Sequence, residues 1–390
     1  MPQSVTVEFR AMERVLSGQP VAEALPREVE RIGARRVFLL VSRTLNHGTD
    51  VVSRVHEALG ARFAGLYEGM PPHTPRDAVL EAAAGARAAR ADLLVSIGGG
   101  SLTDAGKLVQ LCLRHDVRDV AGLDPYRIVV DADGTTHRPH VEPPTVRMVS
   151  VPTTLSGGDF NPHAGCTDPR RQVKEGFQQA LLVPRVVILD PAITVHTPEW
   201  VWLSTGLRAV DHAVETLCSP DCNAYVEGAM RQALRLLAEG LRRSKADPRE
   251  VDGRQLCQLG MWLSMGGREA NVPMGASHAI GHVLGGTCGV PHGYTSCVML
   301  PNVLRYNAAA NPQRQAIVAE ALGRPGEPAA EAVGDLIAEL GLPRTLREVG
   351  VGPERFREVA EHAMHDRWIH TNPRPIRGPE DVLAILALAA

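Results

Sequence analysis

The segment DLLVSIGGGSLTDAGK (Asp92–Lys107) joins an apolar run to three glycines and then to a helical pattern. The apolar run predicts a buried strand of a parallel sheet. The glycines after it let backbone N–H groups approach a phosphate, and the N-terminus of the next helix favours negative charge. The spacing is neither GxGxxG nor a P-loop, so a tight turn without a ligand is the alternative. We predict a phosphate-binding turn formed by Gly98, Gly99, Gly100 and Ser101.

Polar residues on both sides of this turn could contact the same ligand. Asp104 and Lys107 fall in the first turns of the predicted helix, although an ordinary first-turn acid and a solvated lysine are the alternatives. Val146–Val151 predicts another strand, and Thr153 and Thr154 follow its end. Ligands of open α/β sheets bind at the carboxyl ends of the strands. The two threonines therefore either contact the ligand or form a capped turn.

Strands and helices alternate along the first half of the chain. VFLLV (Val37–Val41) and PRVVILDP (Pro184–Pro191) are further apolar runs of the parallel-strand type. VTVEF (Val5–Phe9) has the alternation of a short strand, and VDADGTTH (Val130–His137) predicts a hairpin around an Asp-Gly turn. This order of elements indicates a parallel, doubly wound sheet.

After about Pro198 the patterns become almost entirely helical. We therefore predict an α/β protein with an N-terminal Rossmann-like parallel-sheet domain and a C-terminal all-helical domain. The first would bind a nucleotide and cover residues 1–190, and the second would carry the substrate and metal site and cover residues 191–390. A hydrophobic content of 44% over 390 residues is sufficient for sizeable cores.

Charge and cysteine content restrict the partners and the compartment. A net charge of -3 gives no reason to expect nucleic acid or a charged membrane surface. No apolar run reaches the roughly 18 residues that a membrane span needs. The seven cysteines show no regular framework, and the N-terminus lacks the apolar core of a signal peptide. We expect a cytoplasmic homodimer that acts on a small molecule.

Three histidines lie close together in SHAIGHVLGGTCGVPHG. His278 and His282 are four residues apart and share one face of a helix. Glycines and Pro291 are expected to end that helix and to leave His292 in a short loop. Imidazoles at one point suit a metal ion or a group that titrates near neutrality. Helix-capping or core histidines are the alternative.

A second cluster of polar residues occurs in TGLRAVDHAVE (Thr205–Glu215). Arg208, Asp211, His212 and Glu215 are related by three- and four-residue steps on a helix. A histidine among apolar residues is usually a satisfied core residue. With the later cluster, His212 becomes a candidate for a further member of one site.

These motifs together resemble the iron-containing (group III) alcohol dehydrogenase superfamily, and within it most closely the maleylacetate reductases. GGGSLTDAGK is similar to the family's pyrophosphate-binding loop, and PTTLSGGDFNPHAGCTD resembles its second nucleotide segment. HAIGHVLGGTCGVPHG and LPNVLRYN resemble its metal and substrate region, and NPRPI (Asn372–Ile376) is similar to a C-terminal element of the reductases. The resemblance implies an α/β nucleotide-binding domain, a helical domain and a nicotinamide cofactor, NADH or NADPH.

The resemblance also assigns roles to single residues. The family's metal histidines fall on His212, His278 and His292. A further histidine, near the nicotinamide, falls on His282. The family's aspartate ligand falls on Arg208, which would repel Fe2+ or Zn2+ but suits a carboxylate substrate. Asp211 is expected to point elsewhere on the helix. This makes metal binding uncertain and gives Arg208 and the histidines catalytic roles.

The resemblance gives further expectations about the cofactor and the substrate. NAD-preferring members carry an aspartate after the second strand, where this chain has Ser42 followed by Arg43. Without the acid a 2′-phosphate is no longer rejected, so NADPH is expected to be tolerated. Lys174 matches a family lysine near the cofactor. His163 and Asp159, like Arg208, depart from the family pattern and suggest a specialised substrate.

Three functions are consistent with the sequence. The first is an NAD(P)H-dependent reductase that converts maleylacetate, or a related unsaturated oxo-carboxylate, to a product such as 3-oxoadipate in aromatic catabolism. The second is a metal-dependent alcohol or aldehyde dehydrogenase of the iron-containing family. The third is a lyase similar to dehydroquinate synthase, which would require a site richer in lysine and arginine than this sequence offers.

Overall fold

The structure is a computed structural model that describes residues 5–9, 11–130, 136–171 and 173–390. It divides into two compact units. The first comprises Phe9–Thr197, and the second comprises Pro198–Ala390 together with the N-terminal residues up to Glu8. The sequence placed the boundary near residue 190. Within the described residues, no helix combines the length and the apolar character that crossing a membrane requires.

The first unit contains a six-stranded sheet and two short hairpins. The sheet strands are β1 (Arg14–Ser17), β2 (Val37–Val41), β3 (Phe63–Glu68), β4 (Leu93–Gly98), β7 (Arg147–Pro152) and β10 (Val186–Leu189). The hairpins pair β5 (Val129–Val130) with β6 (Thr136–His137) and β8 (His163–Asp168) with β9 (Val173–Gln178). The sheet order is β1-β10-β7-β4-β2-β3, and all neighbouring strands are parallel.

Helices cover both faces of this sheet. They are α1 (Val21–Ile32), α2 (Arg43–Gly48), α3 (Val51–Leu59), α4 (Arg76–Ala88) and α5 (Gly100–Arg114). Alternate residues of β2 belong to different cores, because side chains of a strand point to opposite faces. Leu39 packs in the core that includes residues of α1 and α3, whereas Leu40 packs with residues of α4 and α5. The continuous apolar runs of the sequence therefore reflect burial on both sides, and the predicted α/β fold class is confirmed.

The direction of the strand order changes between β2 and β4. The chain continues from β2 to β3 on one side of this point, and from β4 to β7 and β10 on the other. Ligands of open α/β sheets bind outside the carboxyl ends of the strands at such a point. Ser42 follows β2 there, and Gly98 ends β4.

The second unit is helical, and its described residues form no strand. Its helices are α6 (Glu199–Cys218), α7 (Ala224–Ala246), α8 (Val251–Ser264), α9 (Gly266–Glu269), α10 (Ala276–Cys288), α11 (His292–Asn307), α12 (Pro312–Ala321), α13 (Ala329–Glu339), α14 (Phe356–Ala363) and α15 (Pro379–Leu388). One apolar core joins α10, α11, α14 and α15. It fixes the two helices that carry three of the candidate histidines.

Two short strand segments predicted from the sequence have different outcomes in the structure. The prediction of a strand at Val5–Phe9 was wrong, because the backbone N–H of Glu8 donates to the carbonyl of Glu269 (2.9 Å) and the edge strand of the sheet is β1. The strands of the predicted hairpin pair through Val129 and His137. The Asp-Gly turn between them lies outside the described residues.

Candidate active site

The glycine turn at the end of β4 has the geometry of an anion site. A Cβ atom at Gly99 would lie 3.2 Å from Cγ2 of Thr154, and one at Gly100 would lie 3.1 Å from Oγ of Ser156. Helix α5 begins at Gly100, and no side chain caps its N-terminus. Its first backbone N–H groups therefore remain available for an anion. Ser101 follows in the same turn, and its carbonyl accepts a hydrogen bond from Oγ1 of Thr74 (3.1 Å).

The other candidate residues of this edge lie beside the glycine turn. The backbone N–H of Ser42 donates to Ile97 (3.0 Å), and that of Thr153 donates to Gly98 (2.9 Å), so β2, β4 and β7 end side by side. Oγ1 of Thr154 is buried without a hydrogen-bond partner. A glycine cradle beside an unsatisfied hydroxyl fits the pyrophosphate of a dinucleotide.

Lys174 and Asp104 meet across a glycine of the β8–β9 hairpin. A Cβ atom at Gly165 would lie 2.3 Å from Cε of Lys174 and 3.5 Å from Oδ2 of Asp104. Burial raises the pKa of Asp104, although the charges of Lys107 and Lys174 oppose this shift. The lysine side chain thus passes over Gly165 towards the carboxylate, where only a residue without a side chain leaves room.

Lys107 and Asp159 have structural contacts. Nζ of Lys107 is buried and donates to the carbonyls of Gly158 and His163, at 2.7 Å each. Asp159 is also buried, and its Oδ1 accepts a hydrogen bond from Thr103 (2.8 Å). These contacts fix the segment after β7. The alternative of a solvated Lys107 was wrong, because the side chain is fully buried, whereas its contact with a ligand stays a prediction.

In the helical unit the four candidate histidines form a row. The ring centroids of His212 and His278 are 4.9 Å apart, those of His278 and His282 are 6.4 Å apart, and those of His282 and His292 are 6.0 Å apart. The predicted helix end within the glycine- and proline-containing stretch is confirmed, although the helix continues through the first two glycines of that stretch and His292 lies directly after the short connection. Helix α10 continues through Gly285 and ends at a left-handed glycine, Gly289, and His292 is the first residue of α11. Only three residues therefore separate the two helices.

Glu215 connects the row to the start of α10, a role that we did not predict. Its carboxylate accepts hydrogen bonds from the backbone N–H groups of Gly275 (3.0 Å), Ser277 (2.7 Å) and His278 (3.3 Å). Its Oε2 also lies 2.7 Å from Nδ1 of His278. Burial and the nearby Asp211 raise the pKa of Glu215 to about 8, against the effect of the backbone donors. Glu215 lies three residues after His212 on the same helix, and this spacing was the feature of the sequence that could have indicated its place beside the histidines.

Arg208 and Asp211 form a buried ion pair. Nη1 of Arg208 lies 3.6 Å from Oδ2 of Asp211 and donates a hydrogen bond to Oγ of Ser296 (2.9 Å). The same Asp211 oxygen accepts hydrogen bonds from Ser296 (2.6 Å) and Ser277 (3.0 Å). Burial raises the pKa of Asp211 to about 6, although Arg208 opposes this shift. The expectation that Asp211 points away from the site was wrong, since Oδ2 lies 3.5 Å from Nδ1 of His278.

His282 has its own carboxylate partner. Nδ1 of His282 lies 2.8 Å from Oδ2 of Asp366, and its ring centroid lies 5.1 Å from that of Trp368. Burial lowers the pKa of His282, whereas Asp366 opposes that shift. Neither Asp366 nor Trp368 was a candidate from the sequence, because no spacing rule connects them to His282.

The residues do not fit a divalent cation well. Nδ1 of His212 and Nε2 of His278 are buried and without hydrogen-bond partners, which would suit a metal. However, within the described residues only Asp211, Glu215 and His278 bring three ligand atoms within 4.8 Å of one another. Of the three expected ligands, this set contains His278 but neither His212 nor His292. The Arg208 guanidinium beside Asp211 adds a fixed positive charge. We therefore derive no catalytic step through a metal.

Comparisons with known proteins cover nearly the whole chain. Residues 13–191 match the family described as iron-containing alcohol dehydrogenase, and residues 202–390 match its C-terminal domain. A dehydrogenase of Alternaria alternata is 33% identical over 87% of this chain and 95% of its own. Maleylacetate reductase 2 of Cupriavidus pinatubonensis is 32% identical over 96% and 94%. The crystal structure of maleylacetate reductase from Rhizobium sp. strain MTP-10005 aligns with a TM-score of 0.82 at 28% identity, over 100% of this chain and 98% of that one.

Proposed function

The chain belongs to the iron-containing alcohol dehydrogenase family, and from this premise we propose that it is an NAD(P)H-dependent reductase of an unsaturated oxo-carboxylate. The proposed reaction converts maleylacetate, NAD(P)H and a proton to 3-oxoadipate and NAD(P)+. The similarity to maleylacetate reductase 2 supports this substrate class. That the chain is an oxidoreductase follows from the family itself.

The observation that carries the proposal is the buried pair of Arg208 and Asp211. A guanidinium held by a carboxylate and by Ser296 occupies the region where the family's aspartate would contribute to a metal site. Removing one charge of such a pair leaves the other buried without compensation, so the guanidinium and Asp211 depend on each other. The fixed cation favours a reaction that does not depend on a metal.

The histidine row supplies groups that can move a proton. Bound NAD(P)H supplies a hydride to the carbon–carbon double bond, and the enolate that develops then needs a proton at carbon. Because the pKa of Glu215 is raised to about 8, its protonated carboxyl can donate to Nδ1 of His278 at 2.7 Å, which places the proton of the neutral ring on Nε2. Nε2 can then pass its proton to the substrate while Nδ1 takes the proton of Glu215. In this proposal Arg208 contributes positive potential near the enolate and keeps its own ion pair.

The α/β unit would bind the dinucleotide at the glycine turn. The unsatisfied hydroxyl of Thr154 and the uncapped N-terminus of α5 are groups that a pyrophosphate could satisfy. Ser42 provides no carboxylate to exclude a 2′-phosphate, and Arg43 follows it on the exposed start of α2. We propose that the enzyme accepts NADPH as well as NADH.

Steady-state oxidation of NADH and NADPH tests this function directly. The substrates are maleylacetate, simple aldehydes and saturated oxo-acids, each assayed with added divalent metal and with a chelator. We expect the highest kcat/KM for maleylacetate and no loss of activity with the chelator. Activity on aldehydes alone, lost with chelator and restored by metal, would overturn the proposal.

The two unpartnered imidazole nitrogens favour one alternative function. Nδ1 of His212 and Nε2 of His278 are free to bind a cation, as a metal-dependent alcohol or aldehyde dehydrogenase requires. The charge of Arg208 opposes this alternative. Elemental analysis of the purified protein distinguishes the two, because only the alternative requires stoichiometric iron or zinc.

A further inference from the structure

Arg43 lies at the carboxyl end of β2, directly after Ser42. A Cβ atom at Gly69, the residue that follows β3, would lie 2.9 Å from Nη2 of Arg43. The guanidinium therefore passes over the end of the neighbouring strand, at a position that has no side chain. Arg43 is exposed, and among the described residues its guanidinium has no hydrogen-bond or ion-pair partner. Its N–H groups are thus free to bind a ligand.

Glu68, the last residue of β3, is held by two side chains of α2. Nδ2 of Asn46 donates to Oε2 of Glu68 (2.5 Å), and Nε2 of His47 lies 2.9 Å from Oε1. These hydrogen bonds lower the pKa of Glu68, and the charge of Arg43 adds a smaller effect. Arg43 is therefore near enough to act on the carboxylate electrostatically, although the two side chains do not form an ion pair.

This group of residues adjoins the glycine turn of the proposed dinucleotide site. A Cβ atom at Gly98 would lie 3.4 Å from Cβ of Ser42, and β2 pairs with both β4 and β3. A dinucleotide with its pyrophosphate at the turn can thus extend its adenosine ribose over the ends of β2 and β3. Dinucleotide-binding folds use an acid to bind the ribose 2′-hydroxyl and an arginine to accommodate a 2′-phosphate. This edge of the sheet carries one residue of each kind, Glu68 and Arg43.

We propose that Asn46 and His47 hold Glu68 away from Arg43 and thereby keep the guanidinium free for the 2′-phosphate of NADPH. This inference rests on the proposed function, because it identifies the residues that set the NADPH preference of its cofactor site. A guanidinium binds a phosphate through paired hydrogen bonds. If the two contacts to α2 were lost, Glu68 would be free to pair with Arg43 and to repel the phosphate. Asn46 and His47 are positioning residues in this scheme, since they act through Glu68.

Adenosine 2′,5′-bisphosphate and adenosine 5′-monophosphate are suitable probes, because they differ only in the 2′-phosphate. Binding of each probe to the full chain is measured by calorimetry. We expect wild type to bind the bisphosphate more tightly, and Arg43→Gln to lose about tenfold in affinity for the bisphosphate only. Arg35→Gln is the control and should leave both affinities unchanged. Arg35 is also exposed, but it precedes β2 and lies at the opposite edge of the sheet.

Variants of the acid and of its two partners test the positioning role. The double variant Asn46→Ala/His47→Ala should bind the bisphosphate about threefold more weakly, the size expected when an exposed ion pair competes for Arg43. Glu68→Gln should bind it more tightly than wild type, because the amide does not repel a phosphate. In a Glu68→Gln background the double alanine substitution should have no effect. Binding of the monophosphate reports whether each variant remains folded.

The outcomes separate this inference from the proposed function. Equal bisphosphate affinity in wild type and Arg43→Gln, or no preference for the bisphosphate over the monophosphate, would overturn the role of Arg43. A loss caused by the double alanine substitution that persists in the Glu68→Gln background would overturn the positioning role. Failure of the enzyme to reduce maleylacetate, with bisphosphate binding still dependent on Arg43, would overturn the proposed reaction and leave this inference in place.

Discussion

Arg208 and Asp211 form an ion pair within one turn of α6, with Nη1 and Oδ2 separated by 3.6 Å. Ser296 hydrogen-bonds to both side chains, and Ser277 bonds to the carboxylate. Two helices besides α6 therefore contribute to the pair through their serine hydroxyls. The pair brings a permanent cation to the histidine row without leaving its charge uncompensated in the interior.

The effects of substituting Arg208 and Asp211 on the free energy of unfolding should depend strongly on each other. Asp211→Asn leaves a buried guanidinium without its counterion and should lower the free energy of unfolding by about 3–5 kcal/mol. The double variant Arg208→Met/Asp211→Leu removes both charges and should cost less than the single change. Urea unfolding of both variants measures the difference. A double variant less stable than Asp211→Asn would contradict the coupling.

Arg208→Asp should convert the region into a metal site. The new carboxylate would stand one turn before His212, whose Nδ1 is unpartnered, and near His278, whose Nε2 is also unpartnered. We expect wild type to purify with little metal and the variant to bind about one Zn2+ per chain. Elemental analysis after dialysis against zinc provides the measurement. Arg208→Asn adds no charge and serves as the control.

Gly99→Val should weaken dinucleotide binding by about tenfold or more, which is ~1.4 kcal/mol. A Cβ at this position already lies 3.2 Å from Thr154, and the two further methyl groups would occupy the space that a phosphate needs. Gly228→Val is the control, because a Cβ there meets nothing within 4 Å. Titration of NADPH fluorescence compares the two variants. Unchanged affinity in Gly99→Val would remove the turn from the cofactor site.

Gly165→Ala tests the contact between Lys174 and Asp104. The new Cβ would lie 2.3 Å from Cε of Lys174, so the lysine must leave its path to the carboxylate. Gly176 is paired with Gly165 across the hairpin, and a Cβ there would meet Ile128 at an ordinary 3.6 Å. We expect weaker NADPH binding in Gly165→Ala and normal binding in Gly176→Ala. Equal affinities would show that Lys174 does not support the cofactor.

Ser42→Asp should shift the cofactor preference towards NADH. An aspartate at the end of β2 would repel a 2′-phosphate and accept hydrogen bonds from an unmodified ribose. The ratio of kcat/KM for NADH and NADPH measures the shift. Ser53→Asp makes the same substitution at an exposed position of α3 and should leave the ratio unchanged. A ratio that responds equally to both substitutions would indicate a general charge effect.

Local patterns predicted much of the fold and part of the site. Continuous apolar runs identified β2 and β4, because strands buried on both faces carry no alternation. The four-residue step of His278 and His282 identified a shared helix. Asp366 could not be predicted in the same way, since it reaches His282 from 84 residues along the chain. The orientation of the Asp211 side chain also depends on hydrogen bonds from serines of two other helices. The spacing of residues within one helix contains no information about these partners.

The carboxylate of Glu215 has a consequence for how this protein can tolerate insertions and deletions. It joins α6 directly to the first N–H groups of α10, and so fixes His212 and His278 relative to each other. The long intervening stretch, which folds into α7, α8 and α9, does not have to set that distance. Chain length in the exposed connection between α7 and α8 can therefore change without separating the two imidazoles. A change of equal size between α10 and α11, where only three residues intervene, would displace His292 directly.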